Sequence, residues 1–124
     1  MKGRNLLQRS RFAFGGLCHA LRREASFRTE LLAAALVGVS IAVLRPPMVW
    51  TALLVVMVAL VLAVELLNTA IEEVLDGLHP DRADFVKHAK DCAAAAVLVL
   101  SAAAVLVFLL MLLDVFGLPS FFRT

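Results

Sequence analysis

The chain is 124 residues long, 62% hydrophobic and 18% charged, with a mean hydropathy of +0.92. That composition excludes a soluble globular protein, and the length leaves room for a single domain, residues 1–124. Twelve lysines and arginines against ten acids leave a net charge of +2, too small a surplus to indicate nucleic acid, so the placement of the charges matters more than their sum.

No uninterrupted apolar run follows Met1 to Asn5, so a cleaved signal peptide is not expected. Residues from about 4 to 23 read instead as an amphipathic surface helix. On a helical projection Leu6, Leu7, Phe14, Leu17, Cys18 and Leu21 share one side, and Arg4, Arg11 and Arg22 the other. Such a helix lies in the membrane interface with its arginines toward anionic lipid or phosphate, or else serves only as a basic anchor that sets topology. The next apolar run, Leu31 to Leu44, is broken only by Gly38 and Ser40 and is shorter than the roughly 20 residues a crossing needs. Its flanks must contribute, which gives a first crossing over about 28–45. Pro46 and Pro47 then stop the helix, because neither can donate a backbone hydrogen bond and each disfavours a helical residue before it.

From Met48 to Val64 the only polar side chain is Thr51, with Trp50 near the start, where an indole favours the interface. This second crossing continues without Gly or Pro to Asp76, so its helix spans about 48–76 and carries an extension out of the membrane. After a loop, Ala93 to Leu113 is interrupted only by Ser101 and defines a third crossing within a helix of about 90–113. The expected fold is an all-α membrane protein with a surface helix and three transmembrane helices. Its basic residues set the orientation. Lys2, Arg4, Arg9, Arg11, Arg22, Arg23 and Arg28 precede the first crossing and Arg82, Lys87 and Lys90 lie between the second and third, so only Arg45 and Arg123 fall elsewhere. The positive-inside rule then places the N-terminus in the cytoplasm and the C-terminus outside. All the acids except Asp114 lie on the cytoplasmic side or at its boundary.

The chemistry is concentrated at that boundary. Glu65, Asn68, Glu72 and Asp76 fall within about 80° of arc on one helix face. Like charges at this spacing oppose helix formation, and ionisable groups near hydrocarbon are more costly still, so something cationic should sit against them. The alternative is the solvated polar end of a long helix. A metal or proton-transfer site accounts better for the pattern, because Mg²⁺ takes one or two carboxylates with water and phosphate completing its shell. Glu65, nearest the membrane, is placed to accept a proton from a lipid hydroxyl. Glu24 and Glu30 mark a second acid cluster where the surface helix turns into the first crossing, and Lys90 with Asp91 sets a cation and an acid at the same depth. By contrast, His19, His79 and His88 lack metal-ligand spacing, and Cys18 and Cys92 read as small apolar residues. Gly15-Gly16 sits on an expected helix and no phosphate-binding loop motif is present. The alanines at 93–96 and 102–104 offer faces for close helix packing, within the chain or between copies.

The stretch Glu65-Leu-Leu-Asn-Thr-Ala-Ile-Glu-Glu-Val-Leu-Asp76, the following Ala89-Lys90-Asp91 and the segment Glu24 to Glu30 together resemble the small prokaryotic integral-membrane diacylglycerol kinases and their close relatives, the undecaprenol kinases. The resemblance runs from about Phe12 to Leu113. It implies a homotrimer in the bacterial inner membrane with composite active sites between subunits, phosphorylating a lipid alcohol with ATP and Mg²⁺ at the cytoplasmic interface. Diacylglycerol is the first acceptor it suggests and undecaprenol the second; a non-catalytic metal-binding scaffold is the alternative from another class. By the same resemblance Glu65 is the general base, Asn68 orients the site, and Glu24 and Glu72 hold the metal of Mg-ATP. Lys90 and Asp91 contact the nucleotide, as do Phe12, Asp81 and Arg82. Three positions depart from the family pattern: Asn5 stands where an arginine is usual, Phe12 where a tyrosine can stack, and Ala94 where the best-known member has a serine.

Overall fold

The computed structural model describes residue 3 and residues 5–81 and 83–117, within which there are four helices and no strand. Arg82, together with the basic residues Lys2, Arg4 and Arg123, lies outside the described residues.

Helix α1 (Leu6–Arg23) opens with a reciprocal cap: the Asn5 side chain accepts from the Gln8 backbone N–H at 2.9 Å, and the Gln8 side chain accepts from the Asn5 N–H at 3.3 Å. Asn5, which departs from the family pattern, thus has a local task. Gly15 and Gly16 are both inside α1, on a helix as their position in the sequence suggested. The joint to α2 (Ala25–Leu44) is one residue, Glu24, in extended conformation. An α-helix ends with carbonyls that lack intrahelical donors. Here Arg28 reaches back from α2 and donates through Nη1 to the carbonyls of Leu21 at 3.0 Å and Arg22 at 3.1 Å.

Because α2 begins at Ala25, its 20 residues give a rod of about 30 Å, enough to cross hydrocarbon. The flank that the apolar run needed is helix N-terminal to it. At the other end Arg45 takes the left-handed conformation (φ 46°), Pro46 and Pro47 follow, and α3 (Met48–Leu78) starts at once. Helix α4 (Asp84–Val115) begins ahead of the expected residue 90, so Lys87, Lys90 and Asp91 all stand on its first turns. Alanine and lysine sustain helix there after the hydrophobic signal has stopped.

At 31 and 32 residues, α3 and α4 are each longer than a bilayer core requires and form the most extensive helix pair. All three of α2, α3 and α4 are long and apolar enough to cross a membrane. Their shared core is thin: Leu54 and Val61 of α3, Phe27 of α2, and Val86, Ala93 and Met111 of α4, with Ala20 of α1 buried beside them. Leu32, Leu36, Val39 and Val43 instead form an exposed stripe along α2. Where α3 starts and α4 ends, Trp50 Nε1 donates to Asp114 Oδ2 at 2.8 Å, which supplies the isolated acid with a partner.

Candidate active site

The second half of α3 carries the polar line Glu65, Asn68, Glu72 and Asp76, and the α1–α2 joint and the start of α4 supply the remaining charges around it. Glu65 is 5% exposed and Thr69, one turn on, 6%. The Thr69 hydroxyl donates to the Glu65 carbonyl at 3.0 Å, the internal bond by which threonine is tolerated inside a helix. The Glu65 carboxylate lies within electrostatic reach of Glu30, Glu24 and Glu72, in decreasing order of influence. Residues far apart in sequence and spread over α2, the joint and α3 therefore act electrostatically on one buried carboxylate.

Asn68 Nδ2 donates to Glu72 Oε1 at 3.4 Å, which fixes the direction of the amide. Its Oδ1 is buried with no hydrogen-bond partner among the described residues. A buried acceptor left unpaired carries a desolvation cost, so this oxygen suits a cation or a hydroxyl donor. Among the described residues no group of three or more His, Cys, Asp or Glu side chains is gathered around one metal position. Two carboxylates with an amide oxygen are nevertheless the donor set of an ion that keeps water and phosphate in its shell.

Beyond Glu72 the site becomes ionic. Asp76 receives Lys90 Nζ at 2.7 Å across the α3–α4 pair, and Lys87 Nζ donates to Asp91 Oδ2 at 2.7 Å along α4. The Lys87 ammonium is held above the usual lysine range, first by that hydrogen bond and then by the carboxylate charge. Asp81, Lys90 and Asp91 share the wall of a polar cavity of about 410 Å³ at the α3–α4 loop, with Asp76, His79 and Lys87. Phe12 lies on α1, 54% exposed, and lines neither this cavity nor the one next described. A second cavity, about 330 Å³ and almost wholly apolar, runs between α2, α3 and α4 past Ala33, Ala34, Val58, Val61 and Phe108, with Glu30 in its wall.

One contact had no sequence signal. His19 of α1 meets Glu73 of α3 at 3.0 Å, tying α1 to the flank of the acid line. A histidine without ligand spacing reads as a lone polar residue, and a separation of 54 positions carries no periodicity that could reveal its partner. Arg28 was equally hidden, because its role is to close helix ends rather than to pair with Glu24 or Glu30.

A family model described as prokaryotic diacylglycerol kinase matches residues 11–112. Among curated proteins, a relative from Synechocystis named diacylglycerol kinase is 36% identical over 104 residues, covering 83% of this chain and 59% of its own length. The chain thus spans less than two thirds of that relative. One of the same name from Escherichia coli is 34% identical over 112 residues, covering 90% of this chain and 92% of the relative. A third, from Haemophilus influenzae, is 30% identical over 95 residues, covering 77% and 80%.

Proposed function

This chain belongs to the prokaryotic diacylglycerol kinase family, and on that premise we propose that it is a membrane-embedded lipid kinase that transfers the γ-phosphoryl group of ATP to diacylglycerol, giving phosphatidic acid. The observation that carries the reading is the burial of Glu65 within electrostatic reach of Glu24, Glu30 and Glu72, with an apolar cavity and a polar cavity available on the same helices. A lipid alcohol has an apolar body and a reactive hydroxyl, and a nucleotide is polar. The two cavities match those two demands.

In the proposed reaction the lipid hydroxyl oxygen forms a bond to the γ-phosphorus as the bond to the β-bridging oxygen breaks, and ADP leaves with that electron pair. Glu65 takes the hydroxyl proton. Asn68, its amide turned by the bond to Glu72, orients the reacting groups. Glu24 and Glu72 would hold Mg²⁺, which when bound neutralises charge on the nucleotide phosphates. Lys90 supplies a cation to the phosphates, while Asp91, Asp81, Arg82 and Phe12 contact the nucleotide. Phosphoryl transfer depends on positioning and charge neutralisation more than on covalent catalysis, so no phosphate loop is required.

The proposal extends to placement and assembly. Helix α1, with exposed Leu6, Leu7, Phe14, Leu17 and Leu21, lies in the cytoplasmic interface, the N-terminus is inside and the C-terminus outside. The apolar stripe of α2 and the alanines of α4 support a homotrimer with composite sites between subunits.

The test is transfer of labelled phosphate from ATP by the detergent-purified chain, offered diacylglycerol and undecaprenol separately, with Mg²⁺ present or chelated. Mg-dependent labelling of diacylglycerol is expected to be the faster. Preferred labelling of undecaprenol would keep the chemistry and change the acceptor. Folded protein that labels neither lipid would overturn the reading in favour of a scaffold.

A further inference from the structure

The two lysines at the start of α4 do not share the acids around them in the simplest way. Lys87 and Lys90 stand one turn apart, and Asp91 is on the same helix as both. Lys87 takes Asp91, while Lys90 is drawn off α4 to Asp76 on α3, at 2.7 Å. Asp76 occupies the same helix face as Glu72, one turn farther along. The ion pair therefore sets the Lys90 ammonium at the end of the acid line, in the wall of the 410 Å³ cavity. Among the described residues that cavity is rich in carboxylates, with Asp81, Asp84 and Asp91 as well as Asp76 beside Lys87 and Lys90. A polyphosphate is repelled by these carboxylates, so a cation directed toward it there favours its binding. With side chains 36% and 65% exposed, the Lys90–Asp76 pair contributes little to the stability of the fold, so its effect is to place a charge.

We propose that Asp76 is a positioning residue for nucleotide binding: it holds the Lys90 ammonium on the α3 side of the loop cavity, where the phosphates of Mg-ATP meet it. This rests on the phosphotransfer reading above. Asp76 acts through Lys90 and touches no reacting atom, so its effect must vanish when Lys90 is gone.

Equilibrium dialysis of labelled Mg-ATP against the detergent-purified chain tests this without requiring turnover. It compares wild type, Asp76→Asn, Lys90→Gln and the double variant, each shown to be folded by circular dichroism. Asp76→Asn is expected to raise Kd about tenfold, the scale of one charge-assisted contact, and to add nothing in the Lys90→Gln background. Asp76→Glu, which keeps the charge on a longer arm, is expected to recover a Kd within about threefold of wild type. An unchanged Kd in Asp76→Asn, or a further weakening in the double variant, overturns the proposal. Should Asp76→Asn fail to fold, Asp76→Glu carries the test, and a Kd as weak as that of Lys90→Gln overturns it. A wild type that binds Mg-ATP with these shifts yet phosphorylates no lipid removes the lipid-kinase reading and leaves the Asp76 assignment standing. A wild type that binds no Mg-ATP removes both.

Discussion

The two ends of the α3–α4 pair treat polar groups in opposite ways. Where α3 starts and α4 ends, Asp114 is paired with the Trp50 indole and the helices close through a tight Arg45-Pro46-Pro47 turn. At the other end Glu65 is buried within electrostatic reach of three further carboxylates, and Asn68 keeps a buried oxygen without a partner among the described residues. A paired polar group near hydrocarbon has a structural explanation, because pairing offsets the desolvation it suffers. A set of acids without such partners lacks that explanation, and the proposed site lies at this end. The same two helices thus combine a closed, paired end with the end proposed to carry the chemistry.

Substitutions at each end sharpen the contrast. The largest effect should come from Glu65→Gln, which keeps the shape and removes the proposed base. It is expected to lower kcat by roughly 10³-fold or more, at the scale of general-base catalysis, while Mg-ATP binding and helicity persist. Next is Glu72→Gln, which should raise the Mg²⁺ concentration needed for half-maximal rate by about tenfold; an unchanged Mg²⁺ requirement in a titration would remove Glu72 from the metal site. At the closed end, Asp114→Ala should leave kcat for lipid labelling near wild type and cost about 1–2 kcal/mol of stability in a denaturation experiment, since the Trp50 N–H loses its acceptor. The smallest effect is expected for His19→Ala. The pair with Glu73 is half exposed on both sides, so its loss should cost no more than about 1 kcal/mol in the same assay.

Much of the architecture was legible because hydrophobic runs and prolines are local signals. The runs at 48–64 and 93–113 and the stop at Pro46-Pro47 correspond to helices and a turn in the structure. Where the apolar signal fades, helices continue on propensity, so α2 reaches back to Ala25 and α4 to Asp84. The α3 face was legible for the same reason: Glu65, Asn68, Glu72 and Asp76 share one period. The electrostatic influence of Glu30 and Glu24 on Glu65, the His19–Glu73 tie and the choice of Asp76 rather than Asp91 by Lys90 were not. These depend on how helices sit against one another, which no pattern within a single helix encodes.

The most direct test sets the two ends side by side: phosphate transfer from ATP to diacylglycerol by Glu65→Gln and Asp114→Ala, purified in the same detergent and both shown to be folded. The account predicts that Glu65→Gln binds Mg-ATP but transfers almost nothing, while Asp114→Ala turns over like wild type with a lower melting temperature. Turnover of Glu65→Gln at the wild-type rate would contradict it, because the buried acid would then be part of the scaffold and not of the reaction.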